Sequence, residues 1–141
     1  MERVEQLAKV FSEIHNYSYV PFYDEIEVDF WDRLPESSSN PTEQLSKDFF
    51  RKMSTYVTEL LKSEKNKQER LAKILYEIHA GCLVPFYKSQ EIFDRYKNDH
   101  EDYWYEHTWD KLEDDLINKE VVDKKFFLDI ARHLIEEAKL Y

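Results

Sequence analysis

Residues Leu7–Tyr23, LAKVFSEIHNYSYVPFY, return as Leu71–Tyr87, LAKILYEIHAGCLVPFY. Ten of the seventeen positions are identical: Leu7/Leu71, Ala8/Ala72, Lys9/Lys73, Glu13/Glu77, Ile14/Ile78, His15/His79 and the two VPFY blocks. A duplicated segment constrains the fold more tightly than any composition, because each copy must build the same unit and hide the same apolar face. The 141 residues are therefore expected to form one all-α domain. It comprises two tandem helix–turn–helix repeats, residues 1–64 and 65–141, packed about a pseudo-two-fold axis. Each repeat, at roughly 65–75 residues, is near the size at which a single core is marginal, so two copies sharing one core are the more stable solution.

The first repeat predicts a helix over Glu2–Tyr17, with Leu7, Val10, Phe11 and Ile14 on one face at i, i+3, i+4, i+7 spacing. The second predicts one over Lys67–Gly81, with Leu71, Ile74, Leu75 and Ile78 inward and Cys82 extending the stripe. Gly81 is the only glycine and falls where a helix C-cap is expected; Tyr17 holds that place in the first copy. Proline fixes φ and biases its predecessor towards extended backbone, so each VPFY block reads as a helix stop and turn, with Phe22 and Phe86 folding back. Trp31-Asp-Arg-Leu34 then matches Trp109-Asp-Lys-Leu112, with both tryptophans read as core anchors. Phe49-Phe50 and Phe126-Phe127 follow, each in a long amphipathic helix, predicted over Thr42–Lys62 and Val121–Leu140. The inward residues are Leu45, Phe49, Met53, Tyr56, Val57, Leu60 and Leu61 in one, and Phe126, Phe127, Ile130, Leu134 and Ala138 in the other.

The copies differ in one segment. Trp31 follows Tyr23 by eight residues, whereas Trp109 follows Tyr87 by twenty-two. The insertion is aromatic and acidic, and insertions within one repeat map to surface loops that often carry function. Tyr103-Trp104-Tyr105 cannot all point inward from a helix or strand, and an exposed Trp or Tyr is a typical binding anchor. The net charge is −10. That argues against direct nucleic-acid binding and against an anionic membrane surface, and it fits a basic protein partner. Cys82 is the only cysteine, so no internal disulfide can form and a reducing, cytoplasmic setting is expected. No signal peptide is read at Met1–Val10 and no apolar run is long enough to cross a bilayer.

No constellation points to catalysis, a metal or a cofactor. His100-Glu101-Asp102 and Glu106-His107 match no zinc or di-iron spacing and read as a solvated acidic loop. Cys82 has no basic neighbour to lower its pKa, and a chain with one glycine has no phosphate-cradling loop. His15 and His79 each follow a Glu by two residues, which puts the pair on different faces of a helix. They read as boundary histidines, with an alternative in which the two converge across the repeat axis and line one pocket.

The pattern Leu-Ala-Lys, two apolar residues, any residue, then Glu, followed by Trp-Asp-basic-Leu-Pro-Glu, resembles a small phage and bacterial domain related to ryanodine-receptor repeats. Leu7, Ala8, Glu13, Trp31, Leu34, Pro35 and Glu36 carry the resemblance in the first copy; Leu71, Ala72, Glu77, Trp109 and Leu112 carry it in the second, which lacks the Pro. The family's helix His falls on Ser12 and Tyr76, and this chain has its His two residues after the Glu instead. The resemblance covers about half of each repeat. It implies a small helical binding unit that pairs about a two-fold axis, a phage or mobile-element origin, and no enzyme activity.

The expectation is thus a non-enzymatic acidic interaction protein, monomer or homodimer, that binds and inhibits a host nucleic-acid-handling or defence protein. Asp94, Asp99, Glu101, Asp102, Tyr103, Trp104, Tyr105 and Glu106 would make the contact. The alternative is a small-ligand or nucleotide binder whose pocket at the repeat interface is lined by His15, His79, Tyr23, Tyr87, Lys9, Lys73, Arg33 and Lys111.

Overall fold

A computed structural model describes residues 2–19, 30–39, 45–79, 109–112 and 123–137. The described residues are all-α. The elements are α1 (Arg3–His15), α2 (Phe30–Arg33), α3 (Lys47–Lys62), α4 (Lys67–His79), a 3-10 turn (Trp109–Lys111) and α5 (Lys124–Arg132). α5 runs on into a π turn, His133–Glu137. Among the described residues no helix is long and apolar enough to cross a membrane.

Caps set the helix starts. Ser46 is extended and its side chain accepts from the Phe49 N–H at 3.1 Å, so α3 begins at Lys47 rather than at the predicted Thr42. Asp123 does the same for the Phe126 N–H at 2.8 Å, so α5 begins at Lys124 rather than Val121. Asn66 Oδ1 accepts from the Glu69 N–H at 3.1 Å at the start of α4. The sharp corner between α3 and α4 is closed by one side chain. Lys67 Nζ donates to the carbonyls of Leu61, Glu64 and Lys62 at 2.8, 3.1 and 3.5 Å, satisfying acceptors that the end of α3 leaves open.

α1 packs along α3, and α4 along α5; α1 and α4 also touch, and α3 touches α4. The buried residues of these elements form one cluster, with Phe11, Phe50 and Phe127 among its largest fully buried side chains. The predicted apolar faces are the buried ones: Leu7, Val10, Phe11 and Ile14 on α1; Leu71, Ile74, Leu75 and Ile78 on α4; Phe49, Met53, Val57 and Leu61 on α3; Phe127 and Ile130 on α5, with Leu134 in the π turn that follows it. Leu45, Tyr56, Leu60 and Phe126 are partly buried against them, and Ala138 lies outside the described residues. Phe50, Ala131 and Tyr76 are buried as well.

Matched positions carry matched contacts. Phe49 and Phe50 meet edge-to-face at 5.3 Å and 82°, and Phe126 and Phe127 at 5.1 Å and 85°. Trp31, 4% exposed, lies under Lys47 Nζ at 5.7 Å; Trp109, 8% exposed, lies under Lys124 Nζ at 5.6 Å. Both tryptophans are core anchors, as their recurrence implied. The copies diverge at Arg51, whose counterpart is Leu128. Arg51 forks onto Glu5 at 2.7 and 2.8 Å, reaches Glu36 at 2.8 Å and Asp48 at 3.0 Å, and lies over Trp31 at 5.8 Å. It ties α1, the α2–α3 connection and α3 together, and no such knot can form at Leu128. There Gln68 Nε2 donates to the Leu128 carbonyl at 3.0 Å, where the first copy has Ser54 Oγ donating to the Val4 carbonyl at 2.9 Å.

Candidate functional site

The end of α1 is a helix stop that carries backbone strain. The Ser18 N–H bonds the Glu13 carbonyl at 2.8 Å and the Tyr17 N–H bonds the Ile14 carbonyl at 3.2 Å, the double bond of a Schellman turn. That turn needs a left-handed residue, and Tyr17 supplies it at φ 58°. Glycine takes this conformation without steric cost, whereas a residue with a Cβ does not. α1 accordingly ends at His15, two residues short of the predicted Tyr17, while Gly81 lies outside the described residues.

This turn aims Tyr17 across the contact between α1 and α4. Its hydroxyl donates to the His79 backbone carbonyl at 3.0 Å, and its ring lies 4.5 Å from the His79 imidazole at 54°. The carbonyl is one of those the C-terminus of α4 leaves without an intrahelical partner. Tyr17 is nonetheless 47% exposed. The phenol therefore clasps the second repeat from the solvent side.

The two repeated histidines each pack on a phenylalanine ring. His15 packs edge-on against Phe50 at 6.0 Å and 66°, and His79 against Phe127 at 5.3 Å and 66°. Each histidine thus sits on the second phenylalanine of its own pair. Burial lowers the pKa of both imidazoles; His79 is held down to about 4, by burial first and by the charge of His15 second.

The glutamates two residues earlier are perturbed in the opposite sense. Burial raises the Glu77 carboxyl to about 7 against the pull of Lys73 and Arg70, and raises Glu13 against the pull of Lys9. Tyr19, beside Glu13, is pushed up to about 12 by burial and by that carboxylate. Two neutral-leaning acids and two neutral-leaning bases thus lie at matched places on α1 and α4. Opposed shifts of this kind occur at functional sites and in structural cores alike.

The other residues proposed from sequence fare differently. Lys9 and Lys73 are half-buried on α1 and α4, each one turn before its own glutamate. Arg33 is exposed at the end of α2. Tyr23, Tyr87 and the Lys111 side chain lie outside the described residues. So do all of Asp94, Asp99, Glu101, Asp102, Tyr103, Trp104, Tyr105 and Glu106. Tyr17, Phe50 and Phe127 are site residues that sequence reasoning left out. For Tyr17 the available signal was its alignment with the sole glycine, Gly81, which marks a position needing unusual backbone. Among the described residues no group of three or more His, Cys, Asp or Glu is placed to hold a metal ion. Comparison of the chain with protein-family profiles, with curated proteins and with solved structures finds no match.

Proposed function

We propose that the protein is a non-enzymatic, acidic interaction protein that binds and inhibits a basic host protein handling nucleic acid. The observation that carries this reading is the net charge of −10. Conspicuous cations of the described helices are already engaged: Arg51 by three carboxylates, Lys67 by three carbonyls, and Arg132 by Glu136 and Glu137. Carboxylates presented on a helical scaffold stand in for phosphates, giving steered association and strong dependence on salt. The contact residues are those of the acidic aromatic insertion, Asp94–Glu106. The matched contacts of the two copies support a pseudo-two-fold arrangement. The resemblance to the phage and bacterial domain supports a phage origin, and the single cysteine, Cys82, supports a reducing, cytoplasmic site of action.

The test is capture from host lysate on the immobilised chain, repeated with Glu101→Lys/Asp102→Lys and with DNA as competitor. A basic nucleic-acid-binding protein, displaced by DNA and lost on charge reversal, is the expected result. Capture that survives both charge reversal and DNA competition refutes the reading.

One observation favours a second reading, a small-ligand or nucleotide binder at the repeat interface: Tyr17, two residues after His15, bonds the His79 carbonyl and lies against its ring. Mass spectrometry of small molecules released on denaturation tests it, with His15→Ala/His79→Ala as the control. Release of the same compound in the same amount from the doubly substituted protein would exclude this pocket.

A further inference from the structure

α3 hides one side and shows the other. Phe50, Met53, Val57 and Leu61 turn into the core, whereas Lys52, Thr55 and Glu59 are exposed on the opposite side. With Tyr56, partly buried against the core, these three fall at i, i+3, i+4 and i+7, one stripe along two helical turns. Arg51 joins them at the edge, and the five side chains line a shallow concavity of about 380 Å³. Reversed end for end, the stripe is its own complement. A second copy of α3, turned about a two-fold axis between Thr55 and Tyr56, brings its Glu59 opposite Lys52 and its Lys52 opposite Glu59. The small Thr55 then faces the large Tyr56 of the other copy. One turn further out Asp48 meets Ser63, so no like charges oppose one another along the stripe.

We propose that the outer face of α3 is a self-association surface, on which two copies of this chain pair antiparallel through two Lys52–Glu59 ion pairs around a central Thr55–Tyr56 contact.

Charge selects the occupant. Two copies at a net −10 each repel at long range, but that field is screened beyond about 8 Å at physiological salt. Within the stripe Lys52 and Glu59 balance, so a strongly basic or strongly acidic partner meets one matched and one opposed charge. A reversed copy of the same stripe matches both. Among the described residues no carboxylate is paired with Lys52. Glu59 holds Lys62 at 2.8 Å, but the two side chains are 66% and 63% exposed, and so open an ion pair contributes little and exchanges readily. One helix laid on its copy covers less than a standard interface, so the association is weak and is seen at high concentration. Pairing through this face uses neither the acidic insertion nor the histidines, and is independent of whether the protein binds a host protein or a small ligand.

The experiment is sedimentation equilibrium of the intact protein from about 10 µM to about 1 mM in about 0.15 M salt. It is repeated on Lys52→Glu, on Glu59→Lys and on an equimolar mixture of the two variants. The wild type is expected to dimerise reversibly within this range. Each variant alone sets like charges against each other at both ends of the pairing and should weaken the dimer about tenfold or more. In the mixture every pair is again of opposite sign, and association should return to within about threefold of wild type. A wild type that stays monomeric at the highest concentration overturns the proposal. So does a dimer that either charge reversal leaves intact, or a mixture that associates no better than its components. Dilution of the wild type followed by NMR needs no substitution: the Lys52 to Glu59 amides should move, and a dimer that dissociates without moving them excludes this face.

Discussion

Glu77→Gln and His79→Phe should tilt the pH profile of global stability in opposite directions. The Glu77 carboxyl is held up to about 7 from an ordinary 4.5. Between those values the native chain keeps a proton that the unfolded chain has released. Its contribution is complete below the unfolded value and is lost as pH rises through the native one. The His79 imidazole is held down to about 4 from an ordinary 6.5. Here the unfolded chain keeps the proton, so the contribution is present above the unfolded value and is lost as pH falls through the native one. A difference of one bound proton is a slope of about 1.4 kcal/mol per pH unit. From roughly pH 4.5 to 6.5 the two slopes have opposite signs and cancel, and Glu13 and His15 add a second opposed pair. The wild-type profile should be nearly flat there. In the Glu77→Gln protein the histidine slope stands alone, and stability rises with pH by about 3 kcal/mol across the window, a substantial share of a typical 5–15 kcal/mol. In the His79→Phe protein stability falls with pH by a similar amount. Urea unfolding followed by tryptophan fluorescence at constant ionic strength, at half-unit steps of pH, measures both. Two variants with slopes parallel to wild type within about 0.3 kcal/mol per pH unit would show that neither group changes its proton affinity on folding.

Three further outcomes follow from the packing. Phe50→Ala and Phe127→Ala remove matched, fully buried rings and should each cost about 3–5 kcal/mol in urea unfolding, so near-neutrality of either would mean that the site collapses around the gap. Tyr17→Ala should be about 1 kcal/mol less stable than Tyr17→Gly, because only glycine is relaxed at a left-handed position; equal stability would deny the strain. A double-mutant cycle on Glu5→Gln and Arg51→Met should give a coupling of about 1 kcal/mol that weakens in high salt. It should also weaken in acid, because the Arg51 hydrogen bonds hold the Glu5 carboxyl below its ordinary value and their benefit is lost as pH falls through that lowered value.

The repeat and the apolar periodicity were enough to determine the class of fold and the inward faces of the four long helices. Burial follows from hydrophobic spacing along a helix, which is a local property of the chain. The Trp31 and Trp109 anchors were legible for a related reason: a large aromatic side chain recurring at a matched place has a large area to hide. Helix starts were read less well, because Ser46 and Asp123 cap by a single hydrogen bond that competes with an equally reasonable start at Thr42 or Val121. The sequence showed that His15 and His79 recur, but recurrence does not give distance. Only the packing of α1 on α3 and of α4 on α5 places Phe50 and Phe127 against them. Only the left-handed turn at the end of α1 swings Tyr17 over His79. Proton affinities belong wholly to tertiary structure, since Glu77 and His79 lie on one helix and are displaced in opposite senses by the same cause, loss of water. What the chain carries in its letters is which side chains must be hidden; which of them become neighbours, and what charge each then prefers, is decided when the helices pack.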